Sequence, residues 1–198
     1  PINEELVRAE LFVEVDNSYN RQHVSCEVLS MSKRLVNQVS ELFDEAGYPV
    51  HYTDTDSLHV RSEAIERVAI EFKTRYGRDL IGKSLGQFHC DFNKIGGSDL
   101  SPVAIESIFL AKKTYCDVLR DEDGNEGIHF RMKRVPAKVI RAHAERDFNG
   151  SIVALYRHLY SGVYYKFDLQ AGGNATFKTH KDHSVHTLHK SDMWVRFL

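Results

Sequence analysis

The chain has 198 residues, 42% of them hydrophobic and 27% charged, and a net charge of −2. That is room for one ordinary domain or two small ones with a buried core, and no apolar run is long enough to span a bilayer, so no membrane partner is expected. Three cysteines, Cys26, Cys90 and Cys116, lie far apart without a CxxC pair, which argues against a disulfide framework or a thiolate zinc site and predicts a reducing intracellular compartment such as cytoplasm, nucleus or mitochondrion.

The chain opens at Pro1 without an initiator Met or a signal-peptide pattern, and the start reads as a cut through a longer chain. Charge is divided unevenly. Residues 1–126 carry 14 Lys/Arg against 23 Asp/Glu, a balance of −9, and residues 127–198 carry 12 against 5, a balance of +7, with seven of the eleven histidines. An acidic part joined to a basic part predicts two surfaces with different partners, the basic one suited to nucleic acid.

In chain order, Leu11–Val15 reads as a short strand and Val24–Ala46 as a long amphipathic helix. Its apolar stripe, Val24, Val28, Leu35, Val39, Leu42, Phe43 and Ala46, recurs at three- and four-residue spacing. Gly47 and Pro49 end it. Residues 50–52 and 58–60 are strand-like around Thr53–Ser57, a hairpin against which the helix packs through Val28, Leu35, Val39 and Leu42. Ser62 is expected to cap a second helix that stops at Gly77.

Gly86–Phe92 and Val103–Leu110 read as strands, and Thr114–Arg120 and Ile128–Arg134 flank an acidic turn to give a second hairpin. Helices return over Pro136–Phe148 and Ser151–Tyr160. The tail from Val163 is rich in Tyr, Phe, Thr and Val and reads as short strands. The whole is α+β, with helices packed on an antiparallel sheet.

The chemistry-bearing stretch is Tyr52-Thr53-Asp54-Thr55-Asp56-Ser57. Two carboxylates two residues apart on extended backbone share a side, and at a hairpin tip they can cluster. Hard divalent cations such as Mg²⁺ take oxygen ligands of this kind, and a metal pair can serve an attacking oxygen and a leaving phosphate oxygen. A bare Asp-x-Asp is also an ordinary solvated turn.

Tyr-x-Asp-Thr-Asp-Ser between apolar strands after a long helix resembles the third palm motif of family B DNA polymerases. Lys112-Lys113-Thr114-Tyr115 resembles that family's Lys-x-Tyr motif, and Met132–Lys138 resembles the segment leading from palm to thumb. The three occur in the family's order, and the short segment between them is most similar to the protein-primed branch of phages, linear plasmids, adenoviruses and related mobile elements.

The resemblance implies an antiparallel palm sheet with packed helices over residues 1–140 and a small mixed thumb subdomain over 141–198. It implies a DNA-directed DNA polymerase acting in DNA replication by two-metal nucleotidyl transfer. Asp56 matches the carboxylate that binds Mg²⁺ directly, and Asp54 its neighbour at the metal site and primer end. Tyr52 and Thr55 match positions that shape the hairpin near the primer terminus, and Lys113 and Tyr115, with Lys112 beside them, match residues that hold the primer–template duplex. The implied partners are primer–template DNA, a dNTP, the remainder of the polymerase and a terminal protein.

Two landmarks of that family are missing. Asp-x-x-Ser-Leu-Tyr-Pro, whose Asp is the other main metal ligand, does not occur, and neither does Lys-x-x-x-Asn-Ser-x-Tyr-Gly, for Asn17-Ser18-Tyr19 lacks both the Lys and the Tyr-Gly. The chain is therefore expected to be the C-terminal part of a polymerase, inactive alone. The alternative is a polymerase-derived, non-catalytic nucleic-acid-binding or assembly module.

A third possibility, independent of family, is a metal-binding protein using His180, His183, His186 and His189. Their three-residue period shares a face only on a helix, whereas the Thr and Val around them favour strand. Tyr160, Tyr164 and Tyr165 are read as core aromatics that could otherwise stack on nucleotides.

Overall fold

A computed structural model describes residues 22–96, 100–169, 175–179, 184–189 and 192–197. The Leu11–Val15 strand, Asn17–Tyr19, His180 and His183 lie outside them, and His186 and His189 fall on the backbone of a strand. The fold is α+β, as expected: helices with antiparallel sheets. Among the described residues no helix is long and apolar enough to cross a membrane.

The first helix, α1, spans Gln22–Glu45 and is free of Gly and Pro throughout. It stops where Gly47 adopts φ 79° and the Tyr48 N–H donates back to the Phe43 carbonyl at 2.9 Å, the left-handed exit that glycine permits without a Cβ clash. A two-stranded hairpin follows, β1 (Tyr52–Asp54) and β2 (Ser57–His59), in the register Tyr52↔His59 and Asp54↔Ser57. Helix α2 (Ser62–Tyr76) begins at Ser62 itself, with Arg61 ahead of it and no side-chain cap, and Gly77 ends it at φ 67°.

Val39, Leu42 and Phe43 of α1 and Ala64, Val68 and Phe72 of α2 form one core with Leu80, with Leu58 and Val60 of the hairpin packed against it. Phe72 is wholly buried, and its loss to Ala is expected to cost about 3–5 kcal/mol. The N-terminal half of the α1 stripe differs from the expectation. Val24 and Val28 are exposed, with Leu29 and Met31 beside them, because α2 covers only the end of α1 that carries Val39–Phe43.

The predicted strand at Gly86–Phe92 is also absent, leaving one isolated bridge between Ile81 and Phe88. Gly86 takes φ 81°, and the Gln87 side chain accepts from the Ser84 N–H and donates to the Asp79 carbonyl, closing a turn in place of a ladder.

Strands β3 (Val103–Ala111), β4 (Thr114–Arg120) and β5 (Glu126–Met132) form a three-stranded antiparallel sheet in that order. Period-2 alternation gives the sheet two unlike faces. Ile108, Cys116 and Phe130 stand in one cross-strand row and enter the second core. There they meet Val139, Ile140 and Ala144 of α3 (Ala137–Phe148) and Leu155, Tyr156 and Leu159 of α4 (Ile152–Tyr160).

Helix α4 starts where the Ser151 hydroxyl accepts from the Ala154 N–H at 3.2 Å, a cap worth about 1 kcal/mol. Tyr156 is wholly buried and donates to the Arg131 carbonyl at 2.7 Å, so its polar end is satisfied.

Strand β6 (Tyr165–Asp168) completes that core with Phe167 and pairs with β9 (Asp192–Val195), while β7 (Ala175–Thr179) pairs with β8 (Val185–His189). Buried His143 of α3 ties α3 to β6: its Nε2 accepts from the Asp168 N–H at 2.9 Å and its Nδ1 lies 3.0 Å from the Tyr165 hydroxyl. The 140/141 division falls inside α3, and the second core draws residues from both sides of it.

Candidate active site

The other face of the β3–β5 sheet carries two cross-strand rows. Ser107, Asp117 and His129 form one, and Phe109, Tyr115 and Arg131 the next. The β1–β2 hairpin lies over both. Tyr52 stacks on Phe109 with ring planes 3° apart and centroids 5.1 Å apart, and its ring is 5.3 Å from Tyr115. His59, opposite Tyr52 in the hairpin, reaches Asp117. The hairpin therefore docks through two residues of the same register pair.

Asp117 is wholly buried. Its carboxylate accepts from the Ser107 hydroxyl at 2.6 Å, from His129 Nδ1 at 3.2 Å and from His59 Nε2 at 3.4 Å. Burial opposes ionisation, and the hydrogen bonds from His129, His59 and Ser107 overcome it, holding the carboxyl down at about 2. The network assigns the proton of His59 to Nε2. Its Nδ1 is buried without a hydrogen-bond partner among the described residues.

At the outer end of the seam two turns meet. The β1–β2 loop is Thr55-Asp56, with Thr55 at φ 58° and the Asp56 N–H donating to the Asp54 carbonyl at 2.7 Å. The β3–β4 loop is Lys112-Lys113, with Lys113 at φ 60°. Four described non-glycine residues have positive φ, and two of them are these facing turn residues. A β-branched Thr at such a φ is strained by about 1–3 kcal/mol, a cost that surrounding contacts must hold in place.

Those contacts are specific. The Lys113 N–H donates to the Tyr52 hydroxyl at 2.6 Å, and the Lys113 ammonium donates to Asp54 Oδ1 at 2.6 Å. The hydrogen bond from Lys113 is the main reason the Asp54 carboxyl sits below its ordinary range, with Thr55 and Lys112 adding to it. Asp54 in turn raises Lys113.

Of the residues predicted from sequence, Tyr52, Asp54 and Lys113 are in direct contact. Thr55 donates to Asp54 at 3.2 Å. Asp56 is exposed on the turn, with no hydrogen-bond or ion-pair partner for its carboxylate among the described residues. Tyr115 is half-buried beneath Tyr52, and burial is the main cause of its raised pKa. Lys112 is exposed beside Lys113.

The donor set suits a hard divalent cation by its chemistry, with Asp56 open and Asp54 shared with an ammonium. Among the described residues no three His, Cys, Asp or Glu side chains are grouped as metal ligands. The buried Cys116 thiol is pushed up to about 12, chiefly by burial, and is no nucleophile at neutral pH.

Sequence reasoning missed His59, Ser107, Asp117 and His129. A signal was present: Asp117 interrupts the otherwise apolar run Tyr115-Cys116-Asp117-Val118-Leu119, and a carboxylate inside such a strand has to be paired. Comparisons with protein-family models, with curated proteins and with solved structures return no match for this chain.

Proposed function

We propose that this chain is the palm and thumb portion of a family B DNA polymerase, contributing metal-binding carboxylates and primer–template contacts to nucleotidyl transfer. The observation that carries this reading is the meeting of the two motifs. Lys113, about sixty residues from the Asp54-Thr55-Asp56 turn, hydrogen-bonds both Tyr52 and Asp54. Two segments assigned to one site on sequence grounds thus lie within hydrogen-bond reach, each on a strained turn.

Asp56 and Asp54 would hold Mg²⁺, which when bound supplies positive charge for phosphate oxygens. The chain's own residues do the positioning. Tyr52 fixes the Lys113 backbone, so the Lys113 ammonium is aimed at the carboxylates and is ready to meet a phosphate as a point charge. Tyr115 supports Tyr52 from below and offers its ring to the sugar–phosphate backbone.

In a polymerase that carries this chain together with its upstream palm, Asp56→Asn is expected to abolish nucleotide incorporation while largely sparing duplex binding. It removes charge at nearly constant volume. Unchanged incorporation by that variant rules the assignment out. A second reading, a polymerase-derived module that binds without catalysing, is favoured by the Lys113 ammonium already neutralising Asp54. It predicts that Asp56→Asn alters nothing.

A further inference from the structure

The outer face of the β6–β9 ribbon plays no part in the hairpin site. Residues 164–169 alternate strictly between outside and inside: Tyr165, Phe167 and Leu169 belong to the second core, and Tyr164, Lys166 and Asp168 point outward. Along β9 and the residue after it the same alternation leaves Asp192, Trp194 and Arg196 outward. The register places Lys166 opposite Trp194 and ends one pair further along at Tyr165 opposite Val195, with Tyr164 and Arg196 the residues just beyond that last pair.

Tyr164 and Trp194 are 67% and 64% exposed, an unusual outlay of aromatic surface for two neighbouring positions. Each ring is topped by a cation from the other strand, Arg196 at 4.9 Å from the Tyr164 centroid and Lys166 at 5.9 Å from that of Trp194. Both rings lie on the same outward face of the ribbon, one on each side of it.

We propose that this face is a stacking platform for single-stranded nucleic acid, separate from the hairpin site and independent of the polymerase reading. Alternating aromatic faces and cations match the alternation of bases and phosphates along one strand. A duplex offers phosphates but keeps its bases stacked on one another, so only an unpaired strand uses both halves of the pattern. The Arg196 guanidinium is anchored by donating to the Gly162 carbonyl at 2.9 Å, which fixes it over the Tyr164 ring. Lys166 is held by Asp192 at 2.9 Å and exchanges that partner for a phosphate. The opposed pair Asp168 and Asp192 puts two acids at the far end of the ribbon, which confines the strand to the Tyr164–Trp194 end.

Trp194 is the only tryptophan of the chain, so its fluorescence reads this face directly. The test titrates the whole chain with a single-stranded dodecamer of deoxythymidylate and with a twelve-base-pair duplex, at several salt concentrations. The single strand is expected to quench Trp194 saturably, and the duplex to leave it unchanged. Tyr164→Ala should weaken single-strand binding about tenfold. Lys166→Gln and Arg196→Gln should each lower the slope of log affinity against log salt by about 0.7.

With a labelled strand and anisotropy as readout, Trp194→Phe should retain most of the affinity and Trp194→Ala lose about tenfold. No saturable quenching by the single strand, equal quenching by the duplex, or full affinity in Tyr164→Ala overturns the proposal. None of these outcomes touches the role assigned to Asp56.

Discussion

Two aspartates face the β1–β2 hairpin from the β-sheet side of the molecule or from its own tip, and their surroundings are opposite. Asp117, at the base of the seam, is wholly buried and accepts from Ser107, His59 and His129. Asp54, at the tip, keeps part of its surface in solvent and is held by Lys113 and Thr55. A buried carboxylate with fixed donors is a fastener, costly to disturb. A tip carboxylate with one mobile ammonium can exchange that partner for another cation. The comparison teaches that the same hairpin is locked at one end so that the other end can be exposed and still precise in position.

The largest break in that comparison is expected from Asp117→Ala. It strands two histidines and a serine in a buried seam, and should cost about 3–5 kcal/mol in chemical denaturation. Asp54→Ala should leave the denaturation midpoint nearly unmoved, since solvent-facing ion pairs contribute little. Equal losses from the two variants would erase the distinction between fastener and tip.

The next effect is on pH dependence. Asp117 ionises at about 2 in the folded chain against about 3.8 when unfolded. Its contribution, about 2 kcal/mol by that difference, is present above pH 4 and is lost as pH falls from about 4 to 2. His143 has the opposite charge type. Burial, helped by Arg146, holds its pKa below the ordinary 6.5, so the unfolded chain takes up the proton first and stability declines as pH falls below 6.5. Thermal melts of His143→Gln against the parent between pH 7.5 and 5 check this, with the slope expected to flatten in the variant.

Tyr52→Phe comes third. It removes the acceptor of the Lys113 N–H and should cost about 1 kcal/mol while freeing the β3–β4 turn. A small gain is expected at Thr55→Gly, which relieves the φ of 58° but adds freedom to the unfolded chain, so stability should change by less than about 1 kcal/mol.

The tip was largely legible in the sequence and the base was not. Tyr52-Thr53-Asp54-Thr55-Asp56-Ser57 carries its own hairpin signal in alternation and turn residues, and hairpins are decided locally. The Gly77 stop was legible for the same reason, whereas Ser62, expected as a cap, is the first residue of the helix. Asp117, His59 and His129 come from three separate strands, and no local pattern reveals which of eleven histidines will meet a given carboxylate. Exposure of Val28 escaped because periodicity says which face of α1 is apolar but not how far along it α2 extends. The Gly86–Phe92 segment has strand-like composition, yet the Gln87 side chain closes it into a turn.

The proposal at the centre of this account is that Asp54 and Asp56 hold a divalent cation beside the Lys113 turn. Paramagnetic broadening of amide resonances on adding Mn²⁺ to the labelled chain tests it most directly, because it registers even weak binding. Broadening is expected first at Asp54, Thr55, Asp56 and Lys113, and it should vanish in Asp56→Asn. Intact resonances at those four positions, while others broaden, would contradict it.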